Sequence, residues 1–241
     1  MRKTFHDGPV AGRQAMARCE FARLERFAAA LEDVPGAACP RPLELLTDPP
    51  GLRMQRAAGV DLFAFLRHHR LGAPLRERLA TTMAAAIGAY VRALGEPCPD
   101  FKFDNVLFDP LDATLTFVDL GAPQDAVAPE TGLSPYEVTA GDLLGSVIFQ
   151  SARPGRLRHR RQHAETAALA AAVVRALEGA GGVPLRPAEL GRAAEAAYRR
   201  CAFGRSRRRS AWYATAGYAL GRRVRIGPAT VGPPAPWRVA R

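Results

Sequence analysis

Cys98-Pro99-Asp100-Phe101-Lys102-Phe103-Asp104-Asn105-Val106-Leu107-Phe108-Asp109, with a shorter echo at Phe117-Val118-Asp119-Leu120-Gly121, is the stretch on which the fold turns. It reads as a polar loop, a short apolar strand, a turn at Pro110-Leu111-Asp112 and a returning apolar strand that ends in an aspartate and a glycine. A hairpin of this kind gathers carboxylates and an amide at one end of a small sheet. Asp100 and Asn105 stand at the two ends of the loop, and Asp119 closes the returning strand. Hard oxygen ligands such as Asn105 and Asp119 suit Mg2+, which takes a few protein oxygens together with waters and phosphate oxygens. Asp100 is left to accept a proton from an incoming hydroxyl.

The composition bounds what such a hairpin can serve. The chain has 241 residues and is 48% hydrophobic, which predicts one large domain or a two-lobed one with a sizeable core. The net charge is +11, but of the 34 lysines and arginines only Lys3 and Lys102 are lysine. That skew, beside so much alanine, reads as the codon bias of a GC-rich genome, so the charge is partly compositional. It favours anionic ligands such as nucleotides. Nucleic acid is a distant reading, because basic runs such as Arg156–Arg161 and Arg205–Arg209 do not by themselves name a partner. Cys19, Cys39, Cys98 and Cys201 are scattered, without a zinc-like cluster. No signal-peptide core follows the basic start, and no apolar run reaches membrane length. A cytoplasmic protein with free thiols and no membrane partner is expected.

An aspartate, four residues, an asparagine and then an aspartate-apolar-glycine triplet resemble the catalytic core of the protein-kinase-like superfamily. The run from Asp100 to Leu107 is most similar to its aminoglycoside and choline phosphotransferase branch. The resemblance implies an α+β, two-lobed fold: a reduced N-terminal lobe over residues 1–56 (strand, helix, two strands), a mainly helical C-terminal lobe with the catalytic hairpin over 57–226, and a loose tail at 227–241. It implies ATP and Mg2+, with Asp100 as the catalytic base, Lys102 against the transferring phosphoryl group, and Asn105 and Asp119 on the metal. Lys3 and Glu20 resemble the lysine–glutamate pair that brings an ammonium to the nucleotide phosphates. Backbone groups near Met54 to Arg56 would hold the adenine. Asp142 would be either the buried aspartate that holds the catalytic-loop backbone or a helix N-terminal aspartate stabilised by the dipole.

The chain departs from that pattern in three places. Cys98 stands where a histidine or tyrosine is usual. Lys102 is shared with protein kinases, whereas the small-molecule branch more often has histidine. The strands and glycine-rich loop that precede the strand lysine in the family have no counterpart before Lys3. An upstream start, a shortened relative and a loss of catalysis are the three explanations.

Periodicity supplies the remaining elements. Helices are predicted at about Arg13–Leu31, Asp61–His69, Pro74–Leu94, Thr139–Ser151, Ala164–Leu177, Pro187–Tyr198 and Ser210–Val224, with strands at Pro42–Leu46 and Gly51–Arg56. Ala122 to Ser134 reads as a loop, and Ser134-Pro135-Tyr136-Glu137-Val138 resembles the end of a protein-kinase activation segment. The expected activity is transfer of the ATP γ-phosphoryl group to a hydroxyl of a small molecule. A protein serine/threonine kinase-like enzyme and a nucleotide-binding pseudokinase scaffold are the alternatives.

Overall fold

The computed structural model describes residues 1–6, 8–119, 132–152, 160–181, 185–203, 225–226 and 229–230. Leu120, Gly121 and most of the expected loop at 122–134, the helix at 210–224, the basic patch at 205–209, most of that at 156–161 and nearly all of the tail lie outside them.

The architecture is α+β. A first sheet holds β1 (Arg2–Thr4), β3 (Pro42–Thr47) and β4 (Pro50–Met54) in the antiparallel order β1-β4-β3. Helix α1 (Val10–Ala30) packs on it through Ala17, Leu24 and Phe27, with Leu52 of β4 buried beneath. A second sheet holds β2 (Ala37–Ala38), β5 (Val60–Asp61), β6 (Val106–Asp109) and β7 (Thr114–Phe117) in the order β2-β7-β6-β5. Its centre is the expected hairpin, in register Val106 opposite Phe117. Strand β2 joins it in parallel, inside a stretch that proline content marks as a plain connection.

Helices α2 (Leu62–His68), α3 (Ala73–Leu94), α4 (Pro135–Ala152), α5 (Arg160–Gly181) and α6 (Pro187–Phe203) supply most of the remaining mass, and β8 (Arg225–Ile226) pairs with β9 (Ala229–Thr230). Helix α2 begins at Asp61, whose carboxylate accepts the Ala64 N–H at 2.9 Å. Helix α3 has Pro74 in its first turn and ends at Gly95, whose φ of 73° lets its N–H return to the Val91 carbonyl. Its stripe of Leu79, Met83, Ile87 and Tyr90 is fully buried.

Helix α4 starts four residues before the expected Thr139, because Ser134 and Glu137 form a capping box. Glu137 N–H donates to Ser134 Oγ at 3.2 Å, and Ser134 N–H donates to Glu137 Oε2 at 2.8 Å. Helices α4 and α6 approach so closely that a Cβ on Gly145 would lie 2.6 Å from the Ala194 carbonyl oxygen. The core runs continuously from Phe27, edge-on to both Tyr90 and Phe117, through Phe103 and Phe108 to Leu143, Val147 and Tyr198. Among the described residues no helix is long and apolar enough to cross a membrane.

Candidate functional site

The loop that carries Asp100 is fixed at its entrance by Glu96. Its carboxylate takes Arg23 Nε of α1 at 2.7 Å and the Tyr90 hydroxyl of α3 at 3.1 Å. Pro97-Cys98-Pro99 follows, with Cys98 buried. The thiol therefore fills the anchoring position with a small apolar body, and burial pushes its pKa up. Phe101 and Phe103 are buried, and Phe101 stacks on Phe117 at 6.0 Å between centroids. The residues between and around them, Asp100, Lys102 and Asn105, are left toward the surface.

Asp100 has a φ of 48°, a left-handed conformation that a non-glycine residue holds only when its surroundings fix it. Asn105 does part of this: its amide nitrogen donates to the Asp100 carbonyl at 3.1 Å and to Asp100 Oδ2 at 3.2 Å. Lys102 Nζ lies 2.5 Å from the same Oδ2. Burial pulls the Lys102 ammonium down, but the Asp100 carboxylate outweighs it and the pKa lies above the usual lysine value. The Asn105 carbonyl accepts Val118 N–H at 2.9 Å, which ties the loop to the strand end bearing Asp119.

Asp119, also left-handed at φ 57°, meets Lys3. Lys3 Nζ is 2.5 Å from Asp119 Oδ1 and 2.8 Å from Glu20 Oε1. Strand β1, helix α1 and the end of β7 thus converge on one ammonium. Burial lowers the Lys3 pKa, but its two carboxylate partners more than restore it, and it stands above the usual value. Glu20 is 1% exposed; burial lifts its pKa above the usual carboxylate value in spite of Lys3, and its buried Oε2 has no hydrogen-bond partner among the described residues.

The structure therefore brings six of the eight expected residues into two adjoining groups, Lys3–Glu20–Asp119 and Asp100–Lys102–Asn105. Met54 and Arg56 are not among them. The Met54 N–H donates to the Met1 carbonyl at 2.9 Å, and its carbonyl accepts the terminal ammonium of Met1 at 2.8 Å. Gln55 N–H is given to the Arg41 carbonyl. The Met54 backbone that the expectation gives to an adenine is thus engaged by Met1, the residue before β1. Arg56 lies just past the strand, exposed.

Asp142 is half of a correction. It pairs with Arg200 of α6 rather than with the loop backbone. Burial raises its pKa to about 6, even with Arg200 beside it. The residue of α4 that does take a loop amide is Thr139, which the sequence reading passed over. Glu137 and Arg186 were likewise missed as a pair; Glu137 is almost wholly buried, and Arg186 Nε lies 2.9 Å from its Oε1.

Among the described residues no cluster of three or more His, Cys, Asp or Glu could hold a metal ion. Asn105 and Asp119 offer one amide oxygen and one carboxylate oxygen that no side chain among the described residues takes, both at the partly exposed end of the hairpin. Such a donor set fits Mg2+, which keeps several waters and borrows phosphate oxygens, and does not fit a structural zinc. No protein-family model matches the chain, and no curated protein sequence matches it.

Proposed function

We propose that the chain is an ATP-dependent phosphotransferase of the protein-kinase-like type, with a reduced N-terminal lobe, acting on a hydroxyl of a small molecule. One observation carries the reading. Residues 3, 20 and 119, chosen for their place in a sequence pattern, meet within hydrogen-bond distance around a single ammonium. They do so next to an aspartate and an asparagine that hold each other. The sheet order β1-β4-β3, with the lysine on β1 and the glutamate on the helix that follows, agrees with it.

In this reading Asp100 orients the acceptor hydroxyl and takes its proton as the oxygen attacks the γ-phosphorus. The bond from that phosphorus to the bridging oxygen breaks and ADP leaves. Lys3 and Lys102 turn from Asp119 and Asp100 toward phosphate oxygens, where their compact charge offsets what develops in transfer. Asn105 and Asp119 would hold Mg2+, which neutralises phosphate charge when bound. Most of the rate comes from position, so the anchoring of Phe101 and Phe103 matters as much as the carboxylate.

A second reading is nucleotide binding without turnover, in which Lys3 stays between Glu20 and Asp119. Magnesium-dependent ATP turnover separates the two. The wild type should turn over ATP, and Asp100→Ala and Asp119→Ala should each lower the rate by about a hundredfold or more. Binding without turnover selects the second reading, and an unchanged rate in Asp119→Ala removes the metal assignment.

A further inference from the structure

We infer that Thr139 is a positioning residue for Asp100, holding the loop through the one main-chain amide in the three residues that lead into it. The inference rests on the phosphotransferase reading for its consequence in catalysis, but not for its geometry. Pro97 and Pro99 flank Cys98 and carry no N–H. Cys98 N–H is therefore the sole backbone donor in the three residues before Asp100. It is buried and donates to Thr139 Oγ1 at 3.0 Å.

Thr139 is 0% exposed. Its own hydroxyl proton goes back to the Pro135 carbonyl at 2.9 Å, one turn earlier in α4. That back-bond fixes the hydroxyl rotor, so a lone pair faces the Cys98 amide in a set direction. The helix turn bearing Thr139 is in turn set by the Ser134–Glu137 capping box and by Arg186 on Glu137. Upstream of Asp100 the loop is thus tied to α4, and downstream Asn105 grips the Asp100 carbonyl and carboxylate. The left-handed Asp100 sits between these two ties.

The acceptor that the Cys98 amide meets is Thr139 Oγ1 and not Asp142, whose Oδ1 pairs with Arg200. Removing the Thr139 acceptor leaves a buried N–H without a partner in a segment with no second donor to compensate. The loop then gives way at the residue next but one to the carboxylate, and a displacement on the order of 1 Å there can cost a hundredfold in rate.

Thr139→Val keeps the shape and removes the acceptor, while Thr139→Ser keeps the acceptor. In Thr139→Val the Cys98 amide should exchange with solvent about tenfold faster or more, and the Asp100 amide and Asn105 side-chain resonances should shift. ATP turnover should fall by about 10- to 100-fold with nucleotide affinity unchanged, and Thr139→Ser should restore all three. Unchanged exchange and resonances in Thr139→Val overturn the inference. So does a lower melting temperature with kcat intact, which is the mark of a merely structural contact. A wild type without turnover defeats the phosphotransferase reading alone, and the exchange and resonance measurements still decide for or against Thr139. If Thr139→Val does not fold, the Cys98 amide of the wild type decides: protection at the level of the core supports the tie, and exchange at the rate of an open loop removes it.

Discussion

Lys3 shows how one residue can join sequence, stability and chemistry. In a chain that uses arginine almost everywhere, an ammonium at this point is a choice, since arginine is a poor replacement where a compact charge must serve two oxygens. Its partner Glu20 is 1% exposed, so that carboxylate depends on Lys3 for its charge balance. Lys3→Met should cost roughly 2–4 kcal/mol in urea unfolding, because it strands a buried charge. Adding Glu20→Gln to Lys3→Met should recover most of that loss without recovering nucleotide binding. A double variant no more stable than the single one would show that the two residues do not act as a pair. The pair was legible only through the family resemblance, in its order and separation. Thr139 was not, because its role depends on prolines forty residues away that leave Cys98 as the only amide donor between Glu96 and Asp100. Met54 was placed near an adenine by the resemblance only, because an apolar residue at a strand end says nothing about which neighbour takes its backbone.

The elements were readable where punctuation and period agree. Helix α3, with Pro74 inside its start and Gly95 after its end, falls within a residue of its expected bounds. Helix α4 was expected four residues too late, since Ser134-Pro135-Tyr136-Glu137 was read as the end of an activation segment when Ser-x-x-Glu is also a helix start. Strand β2 was missed because two alanines beside prolines carry no alternation to read. The contact between α4 and α6 has no signal in period either. It is made by small residues, Gly141 and Gly145 facing Ala193, Ala194 and Ala197. Gly145→Ala would press a methyl to 2.6 Å from a backbone oxygen that cannot swing away. A loss of about 2–3 kcal/mol should follow, as for other overpacked contacts. Gly191→Ala, on the same helix pair but with nothing within 4 Å of the new methyl, should instead add about 0.5–1 kcal/mol through helix propensity. Equal effects at the two sites would mean that α4 and α6 do not pack through Gly145.

At the level of the whole molecule, two carboxylates on α4 make stability depend on pH in opposite directions. Arg186 and the Ser134 amide hold Glu137 at a pKa of about 2, against an ordinary 4.5. Its contribution is complete above 4.5 and is lost as pH falls toward 2, because the unfolded chain takes up the proton first. Burial does the reverse to Asp142, raising it from 3.8 to about 6 against the pull of Arg200, with Asp100 adding to the rise and Lys102 opposing it. Between those values the folded state keeps a proton that the unfolded chain has released, so stability declines as pH rises through the window. Glu20, also raised by burial, pushes the same way. Asp142→Asn fixes the neutral form and should remove the decline. Its stability relative to wild type should therefore be higher at pH 7 than at pH 4, by up to about 3 kcal/mol. Glu137→Gln should be less stable than wild type at pH 7, with the gap closing as pH falls below 4.5. Urea unfolding of the three chains across this range tests both signs at once. A difference for Asp142→Asn that stays flat would mean that Arg200 keeps Asp142 ionised throughout. The joint between α4 and α6 would then be an ordinary ion pair, and the charge beside Asp100 would be constant over the range in which a general base must work.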